Sequence, residues 1–125
     1  MTASVTVVNY PIRVADVPEV WRGDALRIKF SLSDSDGNPV DLNTFGDTWA
    51  SMFRSQATSS QHTDATVDTS HLADGYVIVS LTGDQTQALK QDQYGYDVQA
   101  TGGPLSPITI WTGVVNVSGD FTRNT

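Results

Sequence analysis

Alternation of apolar and polar residues with a period of two recurs along this chain, and it predicts strands. In Ala25–Ser33, Leu26, Ile28, Phe30 and Leu32 face one way and Arg27, Lys29 and Ser31 the other, as in a half-buried antiparallel strand. Thr48–Ser55 sets Trp49 and Phe53 on one face and leaves Ala50, Met52 and Arg54 outside. Tyr76–Leu81 sets Val77, Val79 and Leu81 on one side and Tyr76, Ile78 and Ser80 on the other; in Tyr94–Ala100, Tyr94, Tyr96 and Val98 face one way and Gly95, Asp97 and Gln99 the other. Ala65, Val67 and Thr69 make a weaker strand. Leu105–Val117 is long and β-branched, with Ile108 and Ile110 on one face and Trp111, Val115 and Val117 on the other. Gly113 lies between the two sets, which predicts a bulge or kink there that switches the buried face. Ser4–Tyr10, with Val5, Val7 and Val8, reads as an irregular first strand ended by Pro11. Residues 1–20 as a whole read as an N-terminal arm or edge strand.

The polar interruptions specify turns and one helix. Thr82 followed by Gln85 is a capping box, so one short helix is expected near 82–90. It joins two strands that are either neighbours in one antiparallel sheet or members of two sheets. Asp34-Ser-Asp-Gly-Asn-Pro39 resembles the start of a calcium loop, but its glycine comes fourth instead of sixth and no bidentate Glu follows. A hairpin turn with Gly37 at positive φ explains the same residues. Arg22-Gly23-Asp24 reads as a turn in front of a strand. Gln56–Thr63 is polar and without period, an expected exposed loop tip that includes His62; His71 is also placed in a loop. Gly119–Thr125 reads as a polar tail. About seven or eight short strands with turn signals between them predict a single antiparallel β-sandwich domain over residues 1–125.

Composition agrees. Of 14 acidic residues only Glu19 is a glutamate, the others being aspartates suited to turns and caps. Two lysines and five arginines leave a net charge of −7, which argues against a nucleic-acid partner, since a phosphate backbone demands a basic patch. Without cysteine there is neither a disulfide framework nor a thiolate metal site. No run approaches the roughly 20 apolar residues of a membrane span, and the N-terminus lacks the pattern of a secretory signal, so the chain reads as made in a cytoplasm with no membrane partner. His62 and His71 lack ligand spacing and the aspartates are dispersed, so no metal, cofactor or catalytic residue is assigned.

Three segments in order carry a resemblance. They are Trp-Arg-Gly-Asp-Ala-Leu-Arg-Ile-Lys-Phe with Asp-Gly-Asn-Pro-Val-Asp-Leu; Trp-Ala-Ser-Met-Phe-Arg; and Gly-Tyr-Val-Ile-Val-Ser-Leu-Thr-Gly-Asp-Gln-Thr-Gln-Ala-Leu with Tyr-Gly-Tyr-Asp-Val-Gln-Ala and Trp-Thr-Gly-Val-Val-Asn-Val. The set resembles a domain of tailed-phage and prophage structural proteins, including the N-terminal domain of baseplate upper proteins, over roughly residues 20 to 118. The resemblance implies an Ig-like sandwich used for assembly, with no catalytic residues. Because baseplate upper proteins carry the domain on a longer chain, a stand-alone minor tail protein or a capsid decoration protein is equally expected.

The expectation is therefore a non-enzymatic structural protein of a virion, made in the host cytoplasm. Its partners would be other virion proteins or further copies of itself on a symmetric assembly. Trp21, Met52, Arg54, Gln56 and His62 are the expected contact residues. A carbohydrate-binding module using Trp21 is the alternative, because an exposed indole is a stacking platform for sugars.

Overall fold

The computed structural model describes residues 11–15, 17–55, 62–89 and 92–119. The predicted first strand at Ser4–Tyr10, Gln56 and nearly all of the polar tail fall outside them. Among the described residues eight strands form one curled, mixed sheet: β1 (Ile12–Arg13), β2 (Glu19–Trp21), β3 (Leu26–Ser31), β4 (Gly46–Ser55), β5 (His62–Asp68), β6 (Tyr76–Leu81), β7 (Asp92–Gly102) and β8 (Ile108–Ser118). The order is β1-β8-β7-β4-β5-β6-β3, with β2 also beside β8. The all-β expectation holds.

The sheet curls at β5. Thr63–Ala65 pair with β4, and the next residues, Thr66–Asp68, pair with β6. One strand thus passes from one half of the sheet to the other, and the halves close over a shared core. Phe30 of β3 lies 5.3 Å from Trp111 of β8 and 5.6 Å from Tyr96 of β7, centroid to centroid. Phe53 meets Tyr96 at 5.1 Å, and Trp49 meets Trp111 at 6.4 Å. Phe53, Val77, Val79, Val98, Ile110 and Val115 are wholly excluded from solvent. Each such side chain stabilises the fold by about 1.5–3 kcal/mol relative to exposure.

The predicted alternation reappears in β3, β4, β6 and β7, where the residues assigned to the core are buried, except Ile28, which is half-buried. The Asp34–Pro39 turn has Gly37 at φ 85°, and Asp34 Oδ1 accepts from the backbone N–H groups of Asp36 and Asn38, both at 2.9 Å. That carboxylate is committed to building the turn. The helix is present as α1 (Gly83–Ala88), and both halves of its capping box form: Gln85 N donates to Thr82 Oγ1, and Thr82 N to Gln85 Oε1. It carries the chain from β6 to β7, which belong to the same curled sheet but are not neighbours in it, being separated by β5 and β4.

Three expectations need correction. His62 and Thr63 are not loop residues; they begin β5, with His62 opposite Arg54 and Thr63 opposite Phe53. The face switch in β8 occurs at Ile110 and not at Gly113, because Val98 pairs with Trp111 while its neighbour Gln99 pairs with Thr109. Ile110 is the extra residue, and the bulge lets both Ile110 and Trp111 face the core. Gly113 serves a different need: the Tyr96 ring lies where its Cβ would be. Finally, the sheet is not purely antiparallel. β1 and β2 run parallel to β8 along its free edge, where Pro18 offers only its carbonyl, accepting from Asn116 N at 2.9 Å.

Candidate interaction surface

The register of the half containing β4, β7 and β8 decides which side chains share its outer face. Arg54, Gly95 and Val114 form one row across β4, β7 and β8; Met52, Asp97, Thr112 and Arg13 form the next, ending on β1. His62 and Asp64 continue the same rows onto β5. Val20 and Val117 pair and are buried, so their neighbours Trp21 and Ser118 face outward. Trp21, Met52, Arg54 and His62, which are far apart in sequence, therefore lie on one outer surface. Gln56 lies outside the described residues.

Gly95 has no side chain between Arg54 and Val114. A shallow groove of about 480 Å³ opens over it, lined by Arg13, Val14, Met52, Arg54, Asp97 and Val114 among others. Arg54 Nη2 donates to Met52 Sδ at 3.1 Å, which lays the guanidinium along the sheet. Arg13 and Arg54 are separated by three strand spacings, about 14 Å. Guanidinium groups so placed suit carboxylate or backbone carbonyl acceptors, with Met52 and Val114 providing apolar contact. The outer face covers roughly 400 Å² by strand spacing and rise, about half the 800 Å² per partner of a standard interface.

Trp21 is 37% exposed, whereas Trp49 and Trp111 are buried. The turn after Trp21 is locked from below by α1. Thr86, fully buried, donates its hydroxyl to Asp24 O at 2.8 Å and accepts from Gly23 N at 3.0 Å. Gly23 has φ 94°, and Arg22 Nη2 donates to Gln87 O at 2.8 Å. A Cβ on Gly83 would stand 2.5 Å from Gly23 O, so helix and turn are in direct backbone contact. Arg22-Gly23-Asp24 is a structural turn, as its sequence context suggests.

Comparison with known proteins finds no matching family model and no matching curated protein. The surface must be read from its own chemistry. Among the described residues no three His, Cys, Asp or Glu side chains converge as metal ligands, and no helix is long and apolar enough to cross a membrane.

The opposite half presents a different face. Lys29 Nζ lies 4.2 Å above the centroid of the Tyr76 ring, and His71 stacks on the same tyrosine at 4.6 Å. Between the two halves, on the side away from β5, a cleft of about 430 Å³ opens between β3 and the segment containing Ile12, Val14 and Pro18, with Phe30, Tyr96 and Trp111 at its base. Sequence reasoning named Met52 and Arg54 but missed Arg13, Asp97 and Val114. The one local signal was Gly95, a glycine on the outward side of an otherwise regular strand, where another backbone or ligand can approach closely.

Proposed function

We propose that this chain is a non-enzymatic structural protein of a tailed-phage virion, a minor tail or baseplate component or a capsid decoration protein, that acts through protein–protein contacts. The observation that carries the reading is the placement of Trp21, Met52, Arg54 and His62 on one outer sheet face, where Met52 and Arg54 line the groove over Gly95. The ordered resemblance of three segments to phage structural domains supports it. The strand pairings support the Ig-like part of that resemblance: β3 with β6, β4 with β7 and β7 with β8 match the B–E, C–F and F–G pairings of an Ig sandwich. A face about half the standard size gives modest affinity for a single contact, so firm attachment comes from many copies or several neighbours.

Quantitative mass spectrometry of purified particles tests the proposal. The chain is expected in fixed stoichiometry with the major structural proteins; its absence removes the reading. The exposed indole of Trp21 favours one second reading, a carbohydrate-binding module. A glycan ligand lost on Trp21→Ala, with incorporation into particles unchanged, would select it.

A further inference from the structure

We propose that the outer sheet face docks onto a second copy of the same chain, across a two-fold axis that sets Arg54 of each copy against Asp97 of the other. The inference rests on the reading of that face as the docking surface and names its partner. The register places Arg54 and Asp97 on adjoining strands, two residues apart along them: Arg54 pairs with Gly95, and Met52 with Asp97. Such a diagonal separates the two positions by about 7–8 Å. Arg54 Nη2 donates to Met52 Sδ, and both Arg54 and Asp97 are exposed. Among the described residues neither forms an ion pair, and nor do Arg13 and Asp64 on the same face. The chain as a whole carries a net charge of −7, which keeps copies apart. This face sets two arginines against two aspartates, so copies can meet here without that repulsion.

A two-fold contact is self-complementary: where residue i of one copy meets residue j of the other, j also meets i. An arginine and an aspartate that are neighbours on one face, yet unpaired within the chain, meet that condition. One rotation then makes two ion pairs. With strands about 4.8 Å apart and residues rising about 3.4 Å, the axis that exchanges Arg54 with Asp97 runs over Met52, Gly95 and Val114. Each of these three faces its own counterpart. Gly95 carries no side chain, so the two sheets approach closely, and Met52 and Val114 supply apolar contact along the groove. Asp64 is the other aspartate diagonal to Arg54. The axis that would exchange those two runs over Met52 and His62 and misses Gly95, which favours Asp97. Two faces of roughly 400 Å² bury about 800 Å² in all, below the roughly 1,200 Å² at which stable interfaces begin. The pair is therefore weak in solution and firm where copies are held together on an assembly.

Charge exchange tests the proposal. The natural chain, Arg54→Asp and Asp97→Arg are each followed by backbone amide NMR and sedimentation equilibrium up to millimolar concentration, and the two variants are also mixed in equal amounts. The natural chain should show concentration-dependent shifts centred on Arg54, Gly95 and Val114. Each variant alone should associate at least about tenfold more weakly, because both ion pairs become like-charge contacts. The mixture should recover the natural affinity: the introduced aspartate faces the introduced arginine, and the natural Arg54 and Asp97 face each other. A natural chain without such shifts, shifts confined to another face, or a mixture no tighter than its components each overturns the proposal. Particle incorporation is measured separately. Presence in particles without pairing overturns this inference and leaves the structural reading intact; pairing by a chain absent from particles does the reverse.

Discussion

Replacing Thr86 with valine removes one hydroxyl and almost nothing else, yet it should be among the costlier changes to this protein. The side chain is fully buried and joins α1 to the turn before β3: it donates to Asp24 O and accepts from Gly23 N. Valine keeps the shape but leaves the Gly23 N–H without its acceptor and the Asp24 carbonyl without that donor. An unsatisfied buried group costs about 1–3 kcal/mol, or about 2–6 kcal/mol for two; Gly23 is half-buried and Asp24 exposed, so water recovers part of this and the loss is about 2–3 kcal/mol. Serine keeps both bonds and loses one methyl group, a cost of about 1 kcal/mol. For a chain of this size a change of 1 kcal/mol moves Tm by roughly 3–5 °C. Thr86→Val should therefore melt at least 6 °C below the natural protein, and Thr86→Ser within about 5 °C of it, on the same scale. Paired urea and thermal melts with unchanged m-values check the ranking. If valine proves as stable as serine, the hydroxyl does not bridge helix and turn, and the account of Arg22-Gly23-Asp24 as a locked structural turn fails.

Other outcomes follow from the same geometry. Gly113→Ala should cost about 1–3 kcal/mol in a urea melt, because the new methyl group meets the Tyr96 ring in a packed core. The Asp68 carboxyl is held below its ordinary value near 3.8, chiefly by the Ser70 hydroxyl and then by the Ser70 N–H. A depressed carboxylate pKa stabilises the fold above the ordinary pKa, and that contribution disappears as pH falls through the lower folded value. An NMR titration should show the Asp68 pKa rising on Ser70→Ala, and an unchanged pKa would refute the assignment. Acrylamide should quench only the fraction of tryptophan fluorescence belonging to Trp21, and Trp21→Phe should abolish the quenchable fraction; quenching of Trp49 or Trp111 would contradict their burial.

What the sequence makes legible here is local. Period-two alternation identifies the buried faces of β3, β4, β6 and β7, because each face is set by its own residues. The Thr82–Gln85 pair announces α1 for the same reason: both partners of the capping box lie within one turn. Features that depend on partners far along the chain were not legible. His62 and Thr63 are polar and follow a polar run, so nothing nearby marks them as strand; pairing with Arg54 and Phe53 makes them one. The bulge at Ile110 is fixed by the register of β7, while Gly113 looks like a bulge glycine and is in fact room for a distant tyrosine. The interaction surface shows the same division. Met52 and Arg54 face outward by alternation alone, but their company with Arg13, Val114 and Trp21 exists only once five strands are in register.

The central claim, that this protein works by docking its outer sheet face onto neighbours in a particle, is tested most directly by competition during assembly. The natural chain and Arg54→Glu are supplied in equal amounts to assembling particles, and their ratio in purified particles is measured by mass spectrometry. Arg54 is exposed and outside the core, so the substitution should leave Tm within about 1–2 °C. The account predicts that the variant is depleted severalfold from particles relative to the lysate. Equal incorporation of the two chains, with equal Tm, would contradict it.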